Sequence, residues 1–365
     1  MPTRQELRRN WAFFRTRRHL DWCRRRFCRK CVPSGGGGQA RLLTTDTLHT
    51  VHAAYSLHDS LASAADLTIA CYVNGECVAV TSDSETDVDR WKNEMPWRSF
   101  RFRADIQPGD SVRIEATGPA GCAKARVKAP DAPPAPEVSV EKIPMKDGGG
   151  YDMTLFRFRI RVDDLPGQRN WYRLATLGRQ VVDEHYPEGH AHYLSYWTEE
   201  GGWYRIVDKT VTIPADNTKD SFLNPDGRTV DERNPDYQAN RYNMFTDELF
   251  EDGSVTLTLD VNGAAYFKIN NLATYSLCTY RRAIAALFDL QSLSREDFLN
   301  SRMLEMRYFS LTGVPFVDGL LSEDSVLPDN VEGGIGFVSV RSVSRAVCDF
   351  GERELPSGSS DWPLE

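Results

Sequence analysis

The sequence predicts an all-β protein of mainly antiparallel strands, and three observations predict it. Apolar and polar residues alternate with period two in several short segments. The clearest has Phe156, Phe158, Ile160 and Val162 against Arg157, Arg159, Arg161 and Asp163, the mark of a half-buried strand. Such segments are bounded by Gly, Pro, Asn and Asp, including the hairpin signals Asn74-Gly75 and Asp252-Gly253. Only one convincing helix is readable, at about residues 294–308, so strands do not alternate with helices as βαβ units require.

Residues 1–41 form a basic arm. They hold eleven Arg and Lys30 against Glu6 and Asp21, a net of +10 in a chain of net −8, which leaves −18 on the other 324 residues. The arm ends in a Gly35 to Gly38 run and shows no periodicity, so it is read as disordered and outside any core. A basic arm suggests nucleic acid or anionic lipid, whereas the acidic body argues against broad phosphate-backbone binding. Cys23, Cys28 and Cys31, with His19 nearest as a fourth ligand, match no common zinc-finger spacing. No apolar segment of signal-peptide length follows the basic start. None of the three cysteines stands in a lipid-attachment context, since Trp22, Phe27 and Lys30 precede them.

A small β domain is expected at 42–130. Leu67 to Val73 runs into the Asn74-Gly75 turn; Phe100 and Phe102 alternate with Arg101 and Arg103; Val112 and Ile114 alternate with Arg113 and Glu115. A two-residue turn sets Val73 opposite Glu76, Tyr72 opposite Cys77 and Cys71 opposite Val78. Cys71 and Cys77 then point to opposite faces, so no disulfide joins them; Cys77 would need a distant partner such as Cys122, or remain free. Residues 131–150, with Pro133, Pro134, Pro136 and Gly148 to Gly150, read as a linker. A larger β domain is expected at 151–350. It includes the alternation of Val255, Leu257 and Leu259, then the helix, which Ser294 caps and which carries an apolar stripe of Phe298, Leu299, Met303, Leu304 and Met306. The Ser-, Gly- and Pro-rich residues 351–365 read as a loose tail.

Composition bounds the function. With 365 residues, 41% hydrophobic and 26% charged, the chain is globular, of two or three domains, and able to bury real cores without staples. No apolar run approaches a bilayer-spanning helix.

Candidate sites are few. His185, His190 and His192 lie near Asp183 and Glu184, a combination that suits a transition metal. Pro187 and Gly189 mark a loop there, which is read as polar rather than metal-binding. Asn224-Pro225-Asp226-Gly227 resembles part of an EF-hand, but Phe222 and Arg233 occupy positions that need carboxylates. Gly333, Gly334 and Gly336 precede a strand rather than a helix, so they do not form a phosphate loop. The Arg row of 157–161 is read as a solvated face rather than an anion site. No nucleophile elbow or acid–base carboxylate pair is distinguishable. No catalytic residue, metal or other cofactor is therefore assigned. Trp197, Trp203 and Tyr204 are candidate aromatic faces for ligand stacking.

Three ordered motifs carry a resemblance. They are Asn170-Trp171-Tyr172-Arg173-Leu174; Asn243 to Phe250, containing Phe245 and Asp247, with Gly253; and Asn330-Val331-Glu332-Gly333-Gly334-Ile335-Gly336. With these the chain resembles domain-of-unknown-function family 4249, exported lipoproteins of Bacteroidota, over about residues 45–350. The resemblance implies an N-terminal immunoglobulin-like sandwich, a larger antiparallel β domain with one short helix, a lipid anchor in the outer membrane or at the cell surface, and association with a TonB-dependent receptor. It carries over no catalytic residue. Asn170, Tyr172, Phe245, Asp247, Phe250, Gly253, Asn330, Gly333, Gly334 and Gly336 are expected to be structural. The expected function is a non-enzymatic binding or accessory role. The rivals are a secreted carbohydrate-binding protein or hydrolase, and nucleic-acid binding through the arm.

Overall fold

The structure is a computed structural model that describes residues 35–57, 60–88, 94–119, 121–146, 152–186, 203–213, 215–224, 240, 242–250, 252–262, 270–271, 278–310 and 328–349. It is all-β apart from one α-helix and a 3-10 turn among these residues. The chain divides into two units, residues 1–132 with 292–343, and residues 133–291 with 344–365. The first unit is thus discontinuous in sequence, and it takes in the helix and most of the last strand.

The first unit is a two-sheet sandwich. One sheet contains β1 (Gly35–Leu43), β2 (Leu48–Leu57), β6 (Ser84–Val88) and β7 (Glu94–Arg103), with β3 (Ser60–Ser63) on β2. The other contains β4 (Thr68–Val73), β5 (Glu76–Thr81), β8 (Ser111–Gly118) and β9 (Gly121–Lys128), with β18 (Val331–Glu332) on the outer edge of β9. Inward residues of both sheets share one core, including Leu42, Val51, Ile69, Phe100, Ile114 and Val340.

β1 corrects the reading of residues 1–41. Residues 35–41 belong to the sandwich: β1 pairs antiparallel with β2 and parallel with β19 (Gly334–Asp349). Ala40 and Leu42 are buried while Gln39 and Arg41 are exposed. Glycines occupy the first four strand positions, so no side chain reveals the alternation there. Residues 1–34, with Cys23, Cys28 and Cys31, lie outside the described residues, as does 351–365.

The Asn74-Gly75 turn forms with both residues at positive φ, 51° and 89°. Val73 faces Glu76 and Tyr72 faces Cys77 as expected, but a bulge between Cys71 and Tyr72 sets Cys71 opposite Ala79 rather than Val78. Cys71 is buried, Cys77 and Cys122 are exposed, and all three are free thiols. Burial pushes the Cys71 thiol up to about 11.

In the second unit, β10 (Glu137–Lys146), β11 (Asp152–Asp163) and β15 (Ser254–Asn262) form an antiparallel sheet. A second sheet has β12 (Trp171–Tyr186) between β13 (Trp203–Thr212) and β17 (Cys278–Leu293), with β14 (Met244–Thr246) on β12 and β16 (Asn270–Asn271) on β17. Phe156, Phe158, Ile160 and Val162 are buried in a core with Tyr172, Leu257, Leu259 and Phe288. Half of the expected 131–150 linker is strand β10. Val138 and Val140 pack on the core, and Pro144 is tolerated because β10 is an edge strand.

The helix, α1 (Arg295–Ser310), starts where expected, and the Ser294 Oγ accepts the Asp297 N–H at 3.1 Å. Among its described side chains, 295–303, the fully buried ones are not those of the expected apolar stripe, whose Leu304 and Met306 lie outside the description. Asp297, Asn300 and Ser301 are buried, Phe298 and Met303 are half-buried, and Leu299 is exposed. The reason is Arg341 of β19, fully buried beneath the helix, which needs a carboxylate and a hydroxyl there.

Candidate functional site

The first two motifs meet in the second unit. β14 pairs with the start of β12, setting Tyr172 opposite Phe245. A 3-10 turn then opens at Asp247. The Asp247 Oδ2 accepts the Asn170 backbone N–H at 2.7 Å and its side-chain amide at 2.9 Å. The same amide donates to the carbonyls of Leu165 at 2.8 Å and Gln168 at 2.9 Å. The Tyr172 hydroxyl accepts the Leu165 N–H and donates to Asp164. Beneath this polar layer Tyr172, Phe245 and Phe250 pack with ring centroids 5.5–6.1 Å apart. Gly253, at φ 72°, completes a turn whose carbonyl accepts the Asp164 N–H at 2.9 Å.

The electrostatics suit a structural clasp. Burial pushes the Tyr172 phenol well up. Burial, then the Asp247 charge, raises the Asp164 carboxyl, against hydrogen bonds from Tyr172 and Asn170. Asn170 and Tyr172 are buried, and their polar atoms bond the chain's own backbone and the Asp164 and Asp247 carboxylates.

The third motif lies in the first unit. Asn330 docks on β19 like an extra strand residue: its side chain accepts the Val338 N–H at 2.9 Å and donates to the Val338 carbonyl at 2.7 Å. Asp329, which sequence reading missed, accepts the N–H groups of Val331 and Gly336. Gly333 has φ 77°, and a Cβ there would overlap the Cys122 carbonyl oxygen. That glycine lets β18 approach β9 closely. Gly334 and Gly336 lie on β19, in register with Gly36 and Gly38 of β1.

Three further clusters were not legible as motifs. Arg341 is bound by Asp297 and Ser301. Arg157 is held bidentately by Asp260 at 2.8 Å, and Arg161 pairs with Asp163; these partners suit a structural and solvated face. The third joins β2, β6 and β7. The Ser99 Oγ is 2.8 Å from His52 Nδ1 and donates to Asp87 Oδ2 at 2.7 Å, and Trp97 donates to the same oxygen at 2.8 Å. This gathers a serine, a histidine and an aspartate, but the histidine does not stand between the other two as general-base relay requires. Ser99 is only 2% exposed. Although burial raises the Asp87 carboxyl, donation from Ser99 and Trp97 and the His52 contact bring it below its usual value.

His190, His192 and Trp197 lie outside the described residues. His185 pairs with Tyr204, and Tyr186 with Trp203, at the end of the β12–β13 ladder; the side chains of His185, Trp203 and Tyr204 lie outside the description. Asp220 lies just before the EF-hand-like segment, of which Phe222 to Asn224 are described. It is buried, and its carboxylate accepts the N–H groups of Phe222, Leu223 and Thr258. Among the described residues no group of three His, Cys, Asp or Glu is placed to hold a metal, and no helix is long and apolar enough to cross a membrane.

Among curated proteins, none matches the sequence. A family model, described as Domain of unknown function (DUF4249), matches residues 44–346. That span contains all three motifs and covers most of the chain, which therefore belongs to the DUF4249 family.

Proposed function

We propose that the protein is a non-enzymatic binding or accessory component, exported and lipid-anchored at the outer membrane or cell surface beside a TonB-dependent receptor. The observation that supports this most is the use made of the motif residues. Asn170, Asp247 and Asn330 direct their hydrogen bonds to the chain's own backbone and to neighbouring motif side chains. A motif spent on backbone specifies a scaffold, and function then resides in its surfaces and loops.

Affinity purification from native membranes, after cross-linking, tests the reading. The expected result is recovery with a TonB-dependent receptor and no turnover of glycans offered to the purified protein. Glycan hydrolysis by the purified chain, or recovery free of any receptor, would contradict it.

A further inference from the structure

We infer that the first unit holds a binding site for one small, neutral, apolar group between its two sheets. The inference concerns that unit alone and does not depend on the receptor reading.

A cavity of about 150 Å³ lies between β2, β8, β9, β18 and β19. Its origin is a taper in the β8–β9 hairpin. Successive cross-strand pairs on the inward face shrink from Val112–Val127 to Ile114–Ala125 and Ala116–Ala123; beyond them the Tyr55 hydroxyl and Leu67 fill the space over Gly118. The facing strand β2 contributes Val51, Ala53 and Tyr55. Close packing normally leaves few voids larger than a water molecule, yet here small residues follow one another toward the hairpin. The third motif closes one side: Val331 and Gly333 line the cavity, and only a glycine fits at position 333.

Size and lining name the guest. Apolar cavities of roughly 150 Å³ take up benzene-sized molecules, so the guest has on the order of six carbons, as a ring or as the end of an alkyl chain. The opening is marked by exposed Cys122 and by Lys124. Lys124 is paired with Glu332 at 3.1 Å; the rim charges offset each other and favour a neutral guest over an anion.

The test is calorimetric melting of the full chain with benzene, hexan-1-ol and benzoate in turn. A ligand that binds only the folded state raises its melting temperature in a saturable way. The expected result is such a rise with benzene, hexan-1-ol or both, the pattern separating a ring site from an alkyl site. Benzoate is expected to bind at least about ten-fold more weakly, because its charge must be desolvated. Ala116→Leu, which fills the space, is expected to abolish the rise. If that variant does not fold, Ala123→Val serves, and crystals under xenon pressure are expected to show xenon between Ala53 and Ala116. No rise with either neutral probe, an equal rise in a filled variant, equal binding of benzoate, or xenon absent from the cavity would overturn the inference.

Discussion

Arg341 and Asp297 form a fully buried ion pair, with Nε to Oδ2 at 2.6 Å and Nη2 to Oδ1 at 2.9 Å, and side chains 1% and 0% exposed. Ser301 ties the pair together, accepting from Arg341 and donating to Asp297. The pair fixes α1 on β19 in the first unit. Asp297→Ala takes the carboxylate away from a buried guanidinium and is expected to cost about 3–5 kcal/mol. Replacing both residues by leucine is expected to cost less than Asp297→Ala alone. Urea denaturation of the native chain and the two variants checks this, and a double variant as unstable as the single would contradict it.

The same pair predicts a pH dependence. Burial raises the Asp297 carboxyl, but hydrogen bonds and charge from Arg341, with the Arg41 charge, reverse this and hold it below its usual value. A depressed folded value means a contribution that is complete above the unfolded value of about 3.9 and lost as pH falls through the folded one. The stability gap between the native chain and Asp297→Asn is therefore expected to be constant from pH 7 to about pH 5 and to shrink below about pH 4. Denaturant midpoints across that range check it; a gap that widens on acidification would show the sign to be wrong.

Gly333→Ala is expected to cost more than Gly167→Ala. Both glycines have positive φ, 77° and 91°. Only at Gly333 does an added Cβ meet backbone, the Cys122 carbonyl; at Gly167 nothing lies within 4 Å. Gly167→Ala should carry the conformational penalty alone, about 1 kcal/mol, and Gly333→Ala roughly 1–3 kcal/mol more. Equal melting temperatures would mean that β18 yields without cost.

Leu42→Ala tests the placement of β1. Leu42 is 0% exposed in the first core, so truncating it is expected to cost about 2–5 kcal/mol. A change under about 0.5 kcal/mol, typical of a surface site, would contradict the packing of β1 in that core.

Much of the fold was legible because alternation reports burial directly. Phe156 to Val162 and Val112 to Ile114 fall where their patterns place them. The Gly35–Gly38 stretch was not legible, since glycine carries no pattern, and neither was the parallel pairing of β1 with β19, which only tertiary contact decides. The helix misled for a related reason. Its apolar stripe reads as the packing face, and nothing near Asp297 in sequence announces an arginine 44 residues on. The motif cluster was readable as a set, but not as a geometry: Asn170 and Asp247 are 77 residues apart. The group of His52, Asp87 and Ser99 has no local signature, because strand pairing alone brings it together.

The most direct test of the motif as scaffold is the denaturant midpoint of Asp247→Ala, measured beside receptor recovery by the folded variant. The carboxylate holds the Asn170 backbone N–H and side-chain amide, and removing it from that buried backbone donor is expected to cost about 1–3 kcal/mol. The predicted result is a lowered midpoint with receptor recovery intact wherever the variant is folded. An unchanged midpoint with recovery lost would make Asp247 a contact residue and contradict the account.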